Sequence, residues 1–104
     1  MLEAVRKIQV LVEGMDARTF LSDYRTHHAV ERLLLIVGEA ARHISDDIKE
    51  SHPDIPWKSL IGQRNVLAHD YGDVLIQKVY VAVTRRMEVL NNALEELLQE
   101  FKGS

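Results

Sequence analysis

Apolar residues along this chain recur at three- and four-residue spacing, the mark of helices that bury one stripe, and strand-like alternation is nearly absent. Leu2, Val5, Ile8, Leu11 and Val12 form one such stripe. Gly14 should stop that helix, and Asp16 can cap a short turn through Phe20 and Leu21. A second long helix is expected from about Asp23 to Lys49, with Ala29, Leu33, Ile36, Val37, Ala40, Ile44 and Ile48 on its buried face. Both prolines fall in Ser51-His52-Pro53-Asp54-Ile55-Pro56, so that helix must end there. Pro56 suits the first turn of a third long helix, because its missing N–H has no partner in that turn anyway. That helix should carry Trp57, Leu60, Ile61, Val66 and Leu67 and finish near His69. Gly72 then fits a turn, and Asp73 the N-cap of the last helix. There Tyr80, Val83, Met87, Leu90, Leu94, Leu97 and Phe101 step by threes and fours without a break, as a bundle core face or dimer contact would.

Composition narrows this to one soluble all-α domain over residues 1–104. The chain is 46% hydrophobic and 28% charged, an ordinary globular balance. One helical layer cannot bury so much apolar surface, so helices must pack on each other or on a second copy. The net charge of -3 argues against wholesale neutralisation of a nucleic-acid backbone but leaves room for a local basic site. With no cysteine, disulfides, thiolate zinc sites and cysteine nucleophiles are excluded. No signal-peptide run and no membrane-length apolar stretch occur, so a cytoplasmic protein with no membrane partner is expected.

One cluster departs from a plain bundle: Arg64-Asn65-Val66-Leu67-Ala68-His69-Asp70-Tyr71. On an ideal helix Arg64 and His69 stand about 140° apart, so they do not share a face. They converge if the helix ends near His69, or if a second subunit supplies the complementary member. A neutral imidazole can take the proton of a ribose 2′-hydroxyl, and a second can return one to the leaving 5′-oxygen. A guanidinium can grip phosphate oxygens and offset the charge that grows in the transition state. RNA supplies its own nucleophile, so no metal is required. One chain has one His69, and a two-fold dimer would complete the acid and base set. From residue chemistry alone the same cluster also fits a capped helix end with solvated side chains and a half-buried tyrosine.

The segment resembles the R-x-x-x-x-H-x-Y signature of HepT toxins in the HEPN superfamily. Val37-Gly38-Glu39-Ala40-Ala41, Pro53-Asp54-Ile55-Pro56-Trp57 and Ile61-Gly62-Gln63-Arg64-Asn65-Val66-Leu67-Ala68-His69 resemble that family too, in its order, over essentially the whole chain. The resemblance implies an antiparallel bundle of four to five helices that pairs into a homodimer with two motifs facing across a cleft. It implies a metal-independent endoribonuclease, the toxin of a type VII toxin–antitoxin system, with Arg64 and His69 as the catalytic pair. It further implies that a minimal nucleotidyltransferase antitoxin of the MntA type transfers AMP onto Tyr71, adding phosphate charge and bulk where substrate must sit. Asn65 and Asp70 lie inside the motif and are expected to shape the pocket. Glu39 either pairs with Arg64 and orients it or is an ordinary surface charge. Asp70 and Gly72 stand where relatives often carry an aromatic or a glycine around the motif tyrosine. Relatives also commonly carry more of helix one, so this chain is expected to start short of them.

Other signals carry less. His27 and His28 point about 100° apart on a helix and are not expected to share an ion. His43 and His52 have no carboxylate at a recognised ligand spacing, and no H-E-x-x-H occurs. Neither a metal site nor a cofactor is expected, and no glycine-rich phosphate loop is present. Arg6-Lys7 and Arg85-Arg86 fit solvated faces, an RNA path or an antitoxin contact. The alternative to the enzyme is a binding module of the same fold, a catalytically inert substrate or scaffold for the nucleotidyltransferase.

Overall fold

The computed structural model describes residues 1–62 and 72–103, and the side chains of 1–62 and 76–100 among them. These residues are helical, with no strand among them: α1 (Leu2–Val12), α2 (Ala17–Ser22), α3 (Tyr24–Arg42), α4 (Asp46–Ser51), α5 (57–62 within the described residues), α6 (Gly72–Arg85) and α7 (Met87–Gly103). The expected four to five helices are present, two of them interrupted.

α1 follows its stripe and buries Ala4, Val5 and Ile8 against α3 and α7. Gly14, at φ +75, turns the chain through the left-handed region, where a Cβ is strained. Asp16 then caps α2 as its position suggests, its carboxylate accepting the Thr19 N–H at 2.8 Å. Asp23 repeats the device for α3, accepting the Thr26 N–H at 3.1 Å and its hydroxyl at 2.9 Å. These bonds hold both carboxyls below the usual aspartate value.

The second long helix does not run to Lys49. It stops at Arg42, and Ser45 adopts an extended backbone before α4 opens with Asp46 and Asp47. Two acids in a first turn favour a new N-terminus there, because they complement the helix dipole. The buried face of α3 also differs from expectation. Val30, Leu34, Val37, Gly38 and Ala41 face inward, one position on from Ala29, Leu33, Ile36, Val37 and Ala40, a rotation of about 100°. Ile36 is left 41% exposed. Residues 33–37 are all apolar, so periodicity alone does not pick the sector. Gly38 does, because α5 lies directly over it.

At the other end, α6 begins at Gly72, so Gly72 and Asp73 belong to its first turn and not to a turn and N-cap ahead of it. The last helix is broken at Arg86. The Thr84 hydroxyl donates back to the Tyr80 carbonyl at 2.8 Å, a local bond that competes with regular helix. The stripe survives: Val83, Met87, Leu90, Leu94 and Leu97 are all buried. With Val5, Ile8, Phe20, Val30, Leu34, Val37, Ile55, Trp57 and Leu60 they make one core. Each large apolar side chain buried there contributes about 1.5–3 kcal/mol. No helix among the described residues is long and apolar enough to cross a membrane.

Candidate functional site

Arg64, Asn65, His69, Asp70 and Tyr71 lie outside the described residues, as do Val66, Leu67 and the expected helix end near His69. The elements on either side of residues 63–71 are well anchored. On the N-terminal side His52 builds the corner. Its Nδ1 meets the Ile48 carbonyl at 3.1 Å and its Nε2 meets Glu100 on α7 at 2.8 Å. With both ring nitrogens facing acceptors, the imidazole is held above its ordinary pKa, first by the Ile48 carbonyl and then by Glu100. The His52 carbonyl accepts the Trp57 indole N–H at 3.0 Å. Ile55, Trp57 and Leu60 are buried, so α5 enters the core in a fixed rotation.

The approach of α5 to α3 is set by a glycine. A Cβ on Gly38 would stand 2.7 Å from the Leu60 carbonyl oxygen, inside contact distance. Glu39, the next residue, is half-buried on α3. On the C-terminal side, α6 is held by buried Val79 and Val83 and by Tyr80, whose ring packs 5.5 Å from Phe20 and whose hydroxyl reaches the Met15 carbonyl at 3.4 Å. Residues 63–71 therefore join two helices, each fixed against α2, α3 or α7. The expected basic pairs behave as surface groups: Arg6 is bonded to Glu95 at 2.7 Å, Lys7 to Glu3 at 3.2 Å, and Arg85 and Arg86 are exposed.

The structure brings together one constellation that the sequence argument set aside. His27, His28 and Glu31 place their ligand atoms within 4.8 Å of one another. The expectation that adjacent histidines diverge is correct for the Cβ vectors and incomplete for the site. Glu31 follows His27 by four residues and His28 by three, so its carboxylate falls between the two rings. That i, i+1, i+4 pattern was the available signal.

An apolar groove runs beside α1, lined by Leu2, Val10, Leu11 and Leu33 and edged by Glu3, Arg6 and Lys7. Val10 is 71% exposed.

The family model described as "Ribonuclease HepT-like" matches residues 1–97. A protein of Thermococcus cleftensis named a probable ribonuclease HepT is 34% identical over 95 residues, covering 91% of this chain and 86% of that one. A protein of Methanocaldococcus jannaschii, provisionally named an RNase, is 37% identical over 70 residues, 67% of this chain and 64% of that one. A third, from Caldanaerobacter subterraneus and named in the same provisional way, is 30% identical over 91 residues, 88% of this chain and 81% of that one. No solved structure matches the chain.

Proposed function

Because the chain belongs to the HepT-like ribonuclease family, we propose that it is a metal-independent endoribonuclease toxin with Arg64 and His69 as its catalytic pair. The observation that carries this reading is the Arg64…His69…Tyr71 signature, kept at its spacing in a chain whose family match spans residues 1–97. Neutral His69 of one copy takes the 2′-hydroxyl proton, and the 2′-oxygen attacks the adjacent phosphorus. The bond to the 5′-oxygen breaks as His69 of a second copy, protonated, delivers a proton to it. Arg64 holds the non-bridging oxygens and balances the charge that builds on them. In this reading Asn65 and Asp70 shape the pocket and Glu39 of α3 orients Arg64.

Pairing of two copies is supported by the apolar residues left exposed, among them Val10, Ile36 and Leu98. A nucleotidyltransferase antitoxin that adds AMP to Tyr71 would silence the enzyme by filling the phosphate site with charge and bulk. Purified chain with EDTA present should cut RNA, and His69→Ala should lose at least about a hundredfold in rate while keeping its circular dichroism. An uncut RNA pool with folded wild-type protein would transfer the argument to an inert substrate or scaffold for the nucleotidyltransferase. The net charge of -3 is the observation that favours that second reading.

A further inference from the structure

Near the start of α3, His27 Nδ1 lies 3.8 Å from a Glu31 carboxylate oxygen, and His28 Nε2 lies 4.0 Å from the same oxygen. The two imidazoles stand edge to face with centroids 4.6 Å apart and planes at 82°. Burial is graded across the cluster. The His27 side chain is 6% exposed, Glu31 19% and His28 67%, so the group lies at the boundary between core and solvent.

His27 carries the decisive observation. Its Nδ1 is buried and has no hydrogen-bond partner, with Glu31 beyond bonding distance. A buried ring nitrogen left without a partner is costly, and native proteins rarely keep one. Here it points toward a second imidazole and a carboxylate that converge on the same space. Neighbouring ligands on a tetrahedral ion, each at about 2.0–2.2 Å, sit roughly 3.3–3.6 Å from one another. The two histidine–glutamate separations, 3.8 and 4.0 Å, exceed that by only a few tenths of an ångström. All the ligand atoms lie within 4.8 Å of one another, a gap that rotation of the exposed His28 and the part-buried Glu31 can close. The Asp23 carboxylate, also near His27, is engaged by Thr26 and is not needed.

We propose that His27, His28 and Glu31 form a binding site for a divalent transition-metal ion of the zinc class. Nδ1 of His27, Nε2 of His28 and the Glu31 carboxylate are its three protein ligands, and water completes the shell. Two imidazoles select zinc, nickel, cobalt or copper over magnesium and calcium, which prefer oxygen. The His27 ring lies 6.2 Å from Phe20, and Phe20 packs on Tyr80. A bound ion therefore fixes the junction of α2, α3 and α6. The site shares no residue with the set assigned to RNA cleavage and does not rest on that assignment.

The test is titration of metal-free chain with Zn²⁺ at pH 7.5, followed by calorimetry and by thermal unfolding, with Mg²⁺ in parallel. Saturable binding of one Zn²⁺ per chain and a raised Tm are expected, with neither for Mg²⁺. His28→Ala removes an exposed ligand without entering the core, and it should weaken Zn²⁺ binding at least about tenfold and abolish the Tm rise. Glu31→Gln should do the same, while RNA cleavage by both variants in EDTA stays at the wild-type rate. Absent Zn²⁺ binding, or binding of undiminished strength in both folded variants, overturns the proposal.

Discussion

His52 shows how much one side chain can tie together. It joins α4 through the Ile48 carbonyl, α7 through Glu100, and α5 through its own carbonyl and the Trp57 indole. Its folded pKa is raised, so its protonated form contributes stability that is fully present below the unfolded value near 6.5. That contribution is lost as pH rises through the folded value. Glu100→Gln should therefore lower Tm at pH 6 and lower it much less at pH 9. A Tm difference that is flat with pH would show that the protonated form of His52 has no part in the effect. Asp16 and Asp23 act with the opposite sign. Their carboxyls are depressed, so their share is present above the ordinary aspartate value and falls away as pH drops through the folded one. The Asp16 cap was legible in the sequence because capping is a local matter of three residues. The role of His52 was not, since Glu100 is remote in sequence and only the fold brings it near. The His27, His28 and Glu31 cluster was missed for a different reason: the two histidines were compared with each other and not with the carboxylate set between them.

Among the elements, the α3–α5 contact decides most about the candidate site. Alanine normally stabilises a helix interior relative to glycine by roughly 0.5–1 kcal/mol. At Gly38 the added Cβ meets backbone, the Leu60 carbonyl, which no rotamer change can move aside. Gly38→Ala should therefore destabilise the fold, by about 1–3 kcal/mol in a urea titration. It should also lower RNA cleavage, since α5 leads directly into residues 63–71. A more stable Gly38→Ala protein would mean that the helices separate freely there. The stripes of α1 and α7 and the stop at the two prolines were readable from the sequence, because each rests on periodicity or on a missing N–H. The rotation of α3 was not, because residues 33–37 are apolar on every side and only the space beside Gly38 selects one. The breaks at 43–45 and at Arg86 escaped because the apolar stripes continue in phase across both.

For the molecule as a whole, the proposed chemistry makes the number of chains part of the mechanism. The motif was legible as a resemblance, yet a lone chain holds a single His69, while the reaction removes one proton and delivers another. If one imidazole from each copy serves each cut, loss of either removes the acid or the base. Wild-type chain and His69→Ala chain, differently tagged and co-purified as mixed dimers, separate the two cases. With a shared pair of imidazoles, the mixed dimer should fall close to the homodimeric His69→Ala protein in cleavage rate. With one self-sufficient site per chain it should retain about half of the wild-type rate, because one complete site survives. Half activity would leave Arg64 and His69 as catalytic residues but would end the argument for a cut shared between copies. A charge placed in the exposed apolar groove, Val10→Asp, gives an independent check if that surface is the contact. It should shift the chain towards monomer in analytical ultracentrifugation and reduce cleavage in proportion, without lowering the intrinsic stability of the monomer, because Val10 is already mostly in water.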